Sequence, residues 1–346
     1  MMDSGLCKRA LERFESLPFP GRRDEHWRFS NLAFWGGEAA GLVGVPECRG
    51  GEAGVLGGFP AARRFFDSLV SSGKFDALAA AAFGLARTVR VPDGEKMEIS
   101  GPWASCVNLF EVGRGAELVI RRCEDFSSPG ALRAEAACFS VLSGGTLRLE
   151  TLFSGRGPRW SRFDFYVEDG ASVSDVFVEC GASDTRTERN FFMEGAGSAA
   201  EVAALASCSG SATHDIRTSQ IHNSPGAHSN LLVKNILRDS SRSAFAGLIR
   251  VKEEAQRTSS YQSCRSLLLS PKARAQAVPV LEIMANDVAC SHGCAVAQPD
   301  PEQIFYMKAR GLDEREAQSL LVGGFANEIL EKFSDAGFAD MARSKI

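Results

Sequence analysis

A short stretch near the C-terminus, CSHGC, places two cysteines and a histidine at alternate positions, as Cys290, His292 and Cys294. Alternate side chains of a β-strand point to the same face, so these three side chains are positioned to reach one ligand. Thiolate sulfur and imidazole nitrogen are both ligands that suit iron. Cysteines are also among the residues most often buried for packing alone. The pattern by itself therefore leaves a metal site and a structural role open.

The other cysteines and histidines carry weaker signals. Seven cysteines are scattered without any Cys-x-x-Cys pair, and each is predicted to be a small buried hydrophobe. They are Cys7, Cys48, Cys106, Cys123, Cys138, Cys180 and Cys208. Three histidines lie among Ser, Asn, Pro and Gly, which predicts turns and hydrogen-bonding roles, namely His214, His222 and His228.

Charge and hydropathy argue against two classes of partner. The formal net charge is −4, so there is no excess of positive charge for phosphate contacts and we expect no nucleic-acid binding. The longest apolar run, ALAAAAFGLA, lies between Asp76 and Arg87 and is far shorter than the roughly 20 residues that span a bilayer. The first residues carry Lys8, Arg9 and Glu12 in a helical pattern, which is not typical of a signal peptide. We expect a cytoplasmic protein with reduced cysteines and no membrane partner.

The first part of the chain, residues 1–86, has the pattern of helices joined by loops. A glycine-rich stretch over 36–58 predicts an extended loop. The residues after it predict two helices separated by a break at 71–73, with Asp76 as the N-cap of the second helix.

Short alternating strands replace the helical pattern from about residue 88 onward. Four segments begin with a glycine and place a small or apolar residue three positions later. These pairs are Gly115 with Leu118, Gly144 with Leu147, Gly170 with Val173, and Gly197 with Ala200. The glycines recur at intervals of 26 to 29 residues, which indicates stacked coils with one inward-facing strand per unit, as in a β-solenoid. A β-sandwich is the alternative, but its hairpins would repeat at shorter intervals.

The chain returns to a helical pattern after residue 297. Asp300 is placed to cap a helix that starts at Pro301 and ends near Gly311. Asp313 and Glu316 form a capping-box pattern at the start of a longer helix.

The longer helix has an apolar stripe and a glycine pair. The predicted stripe consists of Ala317, Leu320, Leu321, Phe325 and Ile329. Gly323 and Gly324 lie in the middle of the helix, where each glycine costs about 1 kcal/mol relative to alanine. The pair indicates either the close approach of another backbone or a weak point in a packed helix.

Residues 218–330, which begin TSQIHNSPGAHSNLLVKNILRD, resemble the SufB/SufD family of iron–sulfur cluster assembly proteins. The segment LPFPGRRDEHWRFSNL near the N-terminus is similar to one that SufD proteins carry there. The resemblance implies a mostly β fold, a right-handed parallel β-helix over 87–297. Helical segments over 1–86 and 298–346 would flank it. This fold class agrees with the stacked coils that the glycine repeat predicts independently.

The resemblance also implies partners. Proteins of this family act in a cytosolic complex in which a SufC-like ABC ATPase docks on the C-terminal helical segment and the β-helices of SufB and SufD pair. The expected partners are therefore a SufC-like ATPase and a SufB-like chain, or a second copy of this chain. The sequence has no GxxxxGK[ST] motif. We expect an assembly scaffold rather than an enzyme, with ATP hydrolysis in the partner.

Within the family, three features favour SufD. Gly293 follows His292 where SufB proteins carry a glutamate, the chain is short for a SufB, and the cysteine-rich N-terminal motif of many SufB proteins is missing. Cys264 argues in the other direction, because it occupies the position of the SufB cysteine that takes part in receiving sulfur. Whether the chain pairs with a SufB-like protein or with itself therefore stays open.

For the CSHGC stretch the resemblance implies a metal site. Cys290 and His292 match the cysteine and histidine of SufD that are implicated in cluster formation at the interface with SufB. Cys264 is the third candidate ligand, whereas Cys294 is supported by strand geometry alone. So few ligands cannot hold a cluster, and we expect a transient iron–sulfur cluster shared with the partner chain.

Two other functions remain as alternatives. A polysaccharide lyase or hydrolase built on a β-helix would need paired carboxylates on an open groove. The candidate carboxylates are Asp164, Glu168, Asp169 and Asp175. A purely structural solenoid would leave its cysteines unreactive.

Overall fold

The computed structural model describes residues 5–21, 23–28, 30–39, 59–103, 106–126, 131–181 and 183–346. Most of the loop predicted over 36–58 lies outside these residues, and so does Cys48. The described start of that stretch belongs to a π-helical turn, Phe34–Glu38, rather than to an extended loop.

The described residues form two parallel eight-stranded sheets whose strands alternate along the chain. The first sheet contains β1 (Arg87–Val91), β3 (Val107–Val112), β5 (Arg133–Val141), β7 (Arg159–Val167), β9 (Thr185–Met193), β11 (Thr213–His222), β13 (Arg242–Val251) and β15 (Arg274–Ile283). The second contains β2 (Lys96–Ser100), β4 (Glu117–Asp125), β6 (Thr146–Ser154), β8 (Ser172–Gly181), β10 (Ala199–Cys208), β12 (His228–Leu237), β14 (Thr258–Leu268) and β16 (Val288–Ala297). Each coil adds one strand to each sheet. The predicted parallel β-solenoid is confirmed, and the β-sandwich alternative is wrong.

The glycine repeat marks the turns that lead into the second sheet. Gly115, Gly144, Gly170 and Gly197 have φ values of +61° to +68°, a conformation that glycine adopts without steric cost. The apolar residues that follow them pair in register and form one buried column, Leu118, Leu147, Val173 and Ala200. The repeat unit nevertheless contains two strands rather than one. The turns into the first sheet lack a glycine at a constant position, so its strands left no repeat in the sequence.

The interior of the N-terminal coils is aromatic. Phe110, Phe139, Phe165 and Phe191 stack on successive strands of the first sheet, with ring centroids 4.6–4.9 Å apart. Offset stacking of this kind adds to the free energy gained by burying the rings. The aromatic column therefore stabilises the coils on which the C-terminal end of the solenoid rests.

The N-terminal helices α1 (Leu6–Ser16), α2 (Pro60–Ser71) and α3 (Lys74–Ala81) pack on the outer face of the first sheet, in a cluster that includes Trp160. The prediction that Asp76 caps α3 is wrong, because the N-cap is Gly73. Asp76 lies three residues later, where its carboxylate accepts the Gly73 N–H at 3.2 Å. It also pairs with Arg162 of β7 at 2.8 Å, which ties α3 to the solenoid.

The C-terminal helices are α4 (Pro301–Ala309), α5 (Glu314–Leu330) and α6 (Ala336–Arg343). The Asp300 carboxylate accepts from the Glu302 N–H at 2.9 Å, and Asp313 and Glu316 form the predicted capping box. Gly311, with a φ of +97°, follows the end of α4.

The helix α5 packs on the outer face of the second sheet. Its buried face is Ala317, Val322, Ala326, Ile329 and Leu330. The predicted stripe is therefore wrong at Leu320, which is 58% exposed.

Lys234 of β12 ties α5 to the solenoid. Its ammonium group donates to the Phe325 carbonyl at 2.7 Å and pairs with Glu328 at 2.5 Å. Arg265 of β14 contacts the same carboxylate at 3.2 Å. The helix is thus held against the two strands that lie beneath β16.

Candidate functional site at the open end of the solenoid

The C-terminal end of the solenoid is open within the described part of the chain. The strands β15 and β16 are the last of their sheets, and each pairs with only one neighbour, β13 and β14 respectively. A free strand edge presents unpaired backbone N–H and C=O groups to another chain. Exposed apolar side chains surround this edge, namely Val280, Ile283, Met284 and Val296. The open end therefore has both the backbone groups and the apolar surface of an interaction site.

The CSHGC residues lie on this open end and share one face. Cys290, His292 and Cys294 of β16 pair in register with the three residues Ser260, Gln262 and Cys264 of β14. Those three residues of β14 are at most 2% exposed and face the interior. Because register neighbours in a sheet point to the same side, the β16 side chains face the interior column where it meets solvent. His292 and Cys294 are exposed, and Cys290 is half-buried.

Cys264 lies one coil below Cys294. Its side chain is 2% exposed, and the amide of Asn235 donates to its sulfur at 3.5 Å. Burial raises the pKa of the Cys264 thiol to about 12, and the nearby Cys294 adds to this rise. Cys264 is therefore a protonated, covered thiol in this conformation, in contrast to its exposed neighbour.

The structure separates two of the candidate ligands. Cys290 is four residues from Cys294 along β16, and Cys264 is in register with Cys294. At about 3.3 Å per residue, Cys290 is roughly 13 Å from Cys294 along β16, and it is farther still from Cys264 on the neighbouring strand. Metal–sulfur bonds are only about 2.3 Å long. A single metal ion cannot bind both cysteines, whereas His292 lies between the two positions.

The arrangement offers thiol and imidazole donors to a ligand that arrives from outside. Among the described residues, no group of three or more His, Cys, Asp or Glu side chains is placed to hold a metal ion. The donors of β16 are spread along an open edge rather than converging in a pocket. A facing chain that added its own donors would complete such a site.

Several buried polar residues lie beneath the row formed by Cys290, His292 and Cys294, and the sequence patterns did not predict them. Gln262, which is 1% exposed, crosses the interior and donates to the Gly247 carbonyl at 3.3 Å. A Cβ atom at Gly247 would lie 2.2 Å from the Gln262 oxygen, so the glycine makes room for this side chain. Asn235, Ser229 and Ser260 are also buried in the interior. The alternation of polar residues with outward-facing ones in SSYQSC is the sequence signal for this polar layer.

The remaining histidines divide into two environments. His214 and His222 are buried, and desolvation lowers the pKa of each to about 4. His222 contacts the Ser229 hydroxyl at 2.9 Å, and the exposed His228 contacts Glu201 at 3.2 Å. Hydrogen bonding is thus confirmed for His222 and His228. The predicted turns are wrong, because His214 and His222 lie in β11 and His228 is the first residue of β12.

The scattered cysteines are mostly buried, as predicted. Cys7, Cys138, Cys180 and Cys208 are buried, whereas Cys106 and Cys123 are only partly so. Desolvation raises the pKa of Cys106, Cys123, Cys138, Cys180 and Cys208. A raised pKa keeps a thiol protonated and poorly nucleophilic.

The carboxylates considered for carbohydrate chemistry do not line an open groove. Asp164 and Asp175 are fully buried, and they pair with Arg162 at 2.9 Å and Arg189 at 3.1 Å respectively. The other two carboxylates serve turns, since Glu168 accepts from the Ser143 N–H and Asp169 from the Ala196 N–H. The geometry that glycoside cleavage requires is not present at these residues.

A second surface lies between the solenoid and the C-terminal helices. A groove of about 410 Å³ is lined by residues of the β14–β15 turn and of α4 and α5, including Leu269, Phe305 and Gln318. Phe305 is 74% exposed and Tyr306 is 59% exposed. Large aromatic side chains that are this exposed are typical of binding surfaces.

The fold and the two surfaces define a β-solenoid scaffold with a thiol and imidazole row at its open end. Residues 105–325 match the family described as SUF system FeS cluster assembly, SufBD core domain. This match covers more than half of the chain, which therefore belongs to the SufB/SufD family. Among the described residues, no helix has the length and apolar character needed to cross a membrane.

Individual relatives support the likeness to SufD. The chain is 35% identical over 183 residues to the iron–sulfur cluster assembly protein SufD of Escherichia coli, across 52% of this chain and 42% of that protein. It is 39% identical over 140 residues to protein ABCI7 of Arabidopsis thaliana, across 40% of this chain and 30% of that protein. It is 29% identical over 154 residues to SufD of Bacillus subtilis, across 44% of this chain and 35% of that protein. The chain thus spans less than half the length of these relatives.

Proposed function

We propose that this chain is a scaffold subunit of an iron–sulfur cluster assembly complex of the SufBCD type. The observation that supports this most is the row Cys290, His292 and Cys294 on an open, apolar strand edge. Thiolate and imidazole are the donors that nascent clusters bind. Membership of the SufB/SufD family supports an assembly role for these residues.

The proposed cluster site is shared between two chains. Cys290 and His292 supply the ligands from this chain, and a SufB-like partner that pairs with the free edges of β15 and β16 supplies the others. A transient iron–sulfur cluster forms between them. A site assembled from two halves also suits a cluster that must leave, because separation of the halves removes ligands.

The proposed docking surface for a SufC-like ABC ATPase is the exposed side of α4 and α5. Phe305, Tyr306 and Leu320 supply apolar area there. This chain acts as a scaffold in the proposal, and ATP hydrolysis takes place in the partner. The proposed setting of the complex is the cytoplasm.

The test of this proposal is co-purification. The tagged chain is expressed in its native host, and the proteins that accompany it are identified by mass spectrometry. An ABC ATPase together with a SufB-like chain supports the proposal. The absence of any ATPase under gentle conditions would contradict it.

Self-pairing is the second candidate, and Cys264 favours it. The register of Cys264 with Cys294 gives this chain a pair of thiols near its open end, in addition to the SufD-like Cys290 and His292. A homodimer would form by contact of two identical open ends. Recovery of the ATPase with this chain alone, at two copies per complex, would support self-pairing over a SufB-like partner.

A further inference from the structure

A small cavity lies at the corner of the solenoid where strands of the second sheet end and strands of the first sheet begin. The ends of β6 and β8 line it from one side, and the starts of β7, β9 and β11 line it from the other. Its volume is about 20 Å³, and a cavity needs roughly 10–15 Å³ to hold one water molecule. The cavity therefore accommodates a ligand of about one heavy atom.

His214 of β11 lines this cavity and is only 1% exposed. Burial lowers the pKa of the ring to about 4, so the ring is neutral at pH 7, with one nitrogen that donates and one that accepts. Within the described part of the chain, neither ring nitrogen has a hydrogen-bond partner. The backbone of Ser183, which also lines the cavity, partly offsets the fall in this pKa without making a direct hydrogen bond to the ring.

Ser154, at the end of β6, is another residue of the cavity wall with an unpaired polar group. Its hydroxyl is buried and has no hydrogen-bond partner among the described residues. Buried polar groups are rarely left unpaired in native proteins. Two such groups, from opposite sheets, around a cavity of this size point to a ligand that bonds to them.

The charged groups of the cavity wall are already paired with each other. Arg159 pairs with Glu179, which also accepts from the Thr185 hydroxyl at 3.2 Å. Glu124 pairs in the same way with Arg122. A cation in the cavity would meet the Arg159 guanidinium, and an anion would meet two carboxylates. No three metal-binding side chains of the described residues converge there. The ligand is therefore neutral.

Stacked turns bound the cavity and keep it narrow. Gly155 and Gly181 belong to its wall and have φ values of +121° and +154°. A Cβ atom at Gly181 would lie 2.3 Å from the Gly155 carbonyl oxygen, and one at Gly155 would lie 2.3 Å from that of Phe126. Only glycine permits turns that pack this closely. The tight packing excludes any ligand much larger than a water molecule.

We propose that the cavity is a binding site for one ordered water molecule, which hydrogen-bonds to His214 and joins it to the opposite wall. Water is neutral, donates and accepts hydrogen bonds, and has the volume that the cavity offers. Bound there, it supplies the partner that the interior histidine lacks and links β11 to the coils below it. The site is separate from the thiol and imidazole row, and the proposal does not depend on the proposed function.

The test is a crystal structure of the full chain, at a resolution at which buried waters elsewhere in the solenoid are visible. We expect a single density peak in the cavity, about 2.7–3.2 Å from a ring nitrogen of His214, in a map calculated before any water is placed. The same crystals are then exposed to xenon, which enters dry apolar cavities, and we expect none at this position. An empty cavity, bound xenon, or an anomalous signal from an ion would each overturn the proposal.

A pair of variants tests the role of the histidine. His214→Leu removes both ring nitrogens at a similar side-chain volume and should lose the density peak. His222→Leu is the matched control, because this second buried histidine of β11 contacts Ser229 rather than the cavity; it should keep the peak. A peak that persists unchanged in His214→Leu would show that His214 does not bind the water. If a variant fails to fold, the wild-type map alone decides.

Discussion

The glycine pair of α5 gives a prediction that tests the proposed docking surface. A Cβ atom at Gly323 or Gly324 would meet nothing within 4 Å. No backbone of the described residues therefore approaches the pair, which leaves the backbone of a partner or a weak point in the helix as the two interpretations. Both glycines lie three or four residues after Leu320 and share its face of the helix, which is 58% exposed at that leucine. The face is open to a partner and unused within the described part of this chain.

Alanine at these positions should stabilise the isolated chain. Each replacement removes the backbone entropy cost of a helical glycine, about 1 kcal/mol, so the double variant gains about 2 kcal/mol. Local opening of α5 then becomes rarer, and amide exchange slows about fivefold for a single variant and roughly 30-fold for the double variant. Ala326→Gly, at a buried position of the same helix, is the matched control and should speed exchange.

Hydrogen exchange followed by mass spectrometry measures these changes on peptides that cover α5. We expect the same double variant to bind the ATPase less well, because two methyl groups then stand where the partner approaches. Unchanged or faster exchange in α5 would refute the reasoning about helix stability. Slower exchange with normal ATPase binding would refute the docking surface and leave the glycine pair as a weak point in the helix.

Three further predictions concern the site and the interior. His292→Ala should leave complex formation intact but reduce the cluster yield severalfold, measured as iron and labile sulfide per complex, because one exposed donor is lost. Gly247→Ala should destabilise the chain by about 1–3 kcal/mol in urea unfolding, since the new Cβ would lie 2.2 Å from the Gln262 oxygen. His214 and His222, with pKa values lowered from 6.5 to about 4, bind protons less readily in the native state than in the unfolded state. Their contribution to the free energy of unfolding is therefore complete above pH 6.5 and is lost as the pH falls toward 4, by up to about 3 kcal/mol for each histidine. The variant His222→Gln should flatten the measured pH dependence of unfolding.

The sequence predicted best the turns and helix starts, because their backbone geometry depends on one or two residues. Glycines with positive φ marked the turns into the second sheet, and the capping residue Asp300 and the Asp313–Glu316 box marked the helix starts. The strands of the first sheet were not predicted as a repeat, because the turns that lead into them have no glycine at a constant position. Asp76 was misassigned because an aspartate at the third helical position also accepts a backbone N–H at the start of the helix, here that of the N-cap residue Gly73.

The site could be predicted only in part. The period of two along a strand places Cys290, His292 and Cys294 on one face, and the register of β16 on β14 agrees with this. The position of Cys264 beneath Cys294 depends on the lengths of the turns between strands, which the sequence pattern did not fix. The hydrogen bonds that join His222, Ser229 and Ser260 depend on the packing of β11, β12 and β14, which are far apart in the sequence.

The most direct test of the account is anaerobic reconstitution of the purified complex with iron and sulfide. Iron and labile sulfide are counted per complex for the wild type, for a Cys290→Ser, His292→Ala double variant, and for Cys123→Ser as a control on the outer face of the second sheet. We expect that the wild type and the Cys123 variant hold a cluster and that the double variant forms the complex without one. A double variant that assembles clusters at the wild-type level would contradict the claim that the open end of this chain supplies cluster ligands.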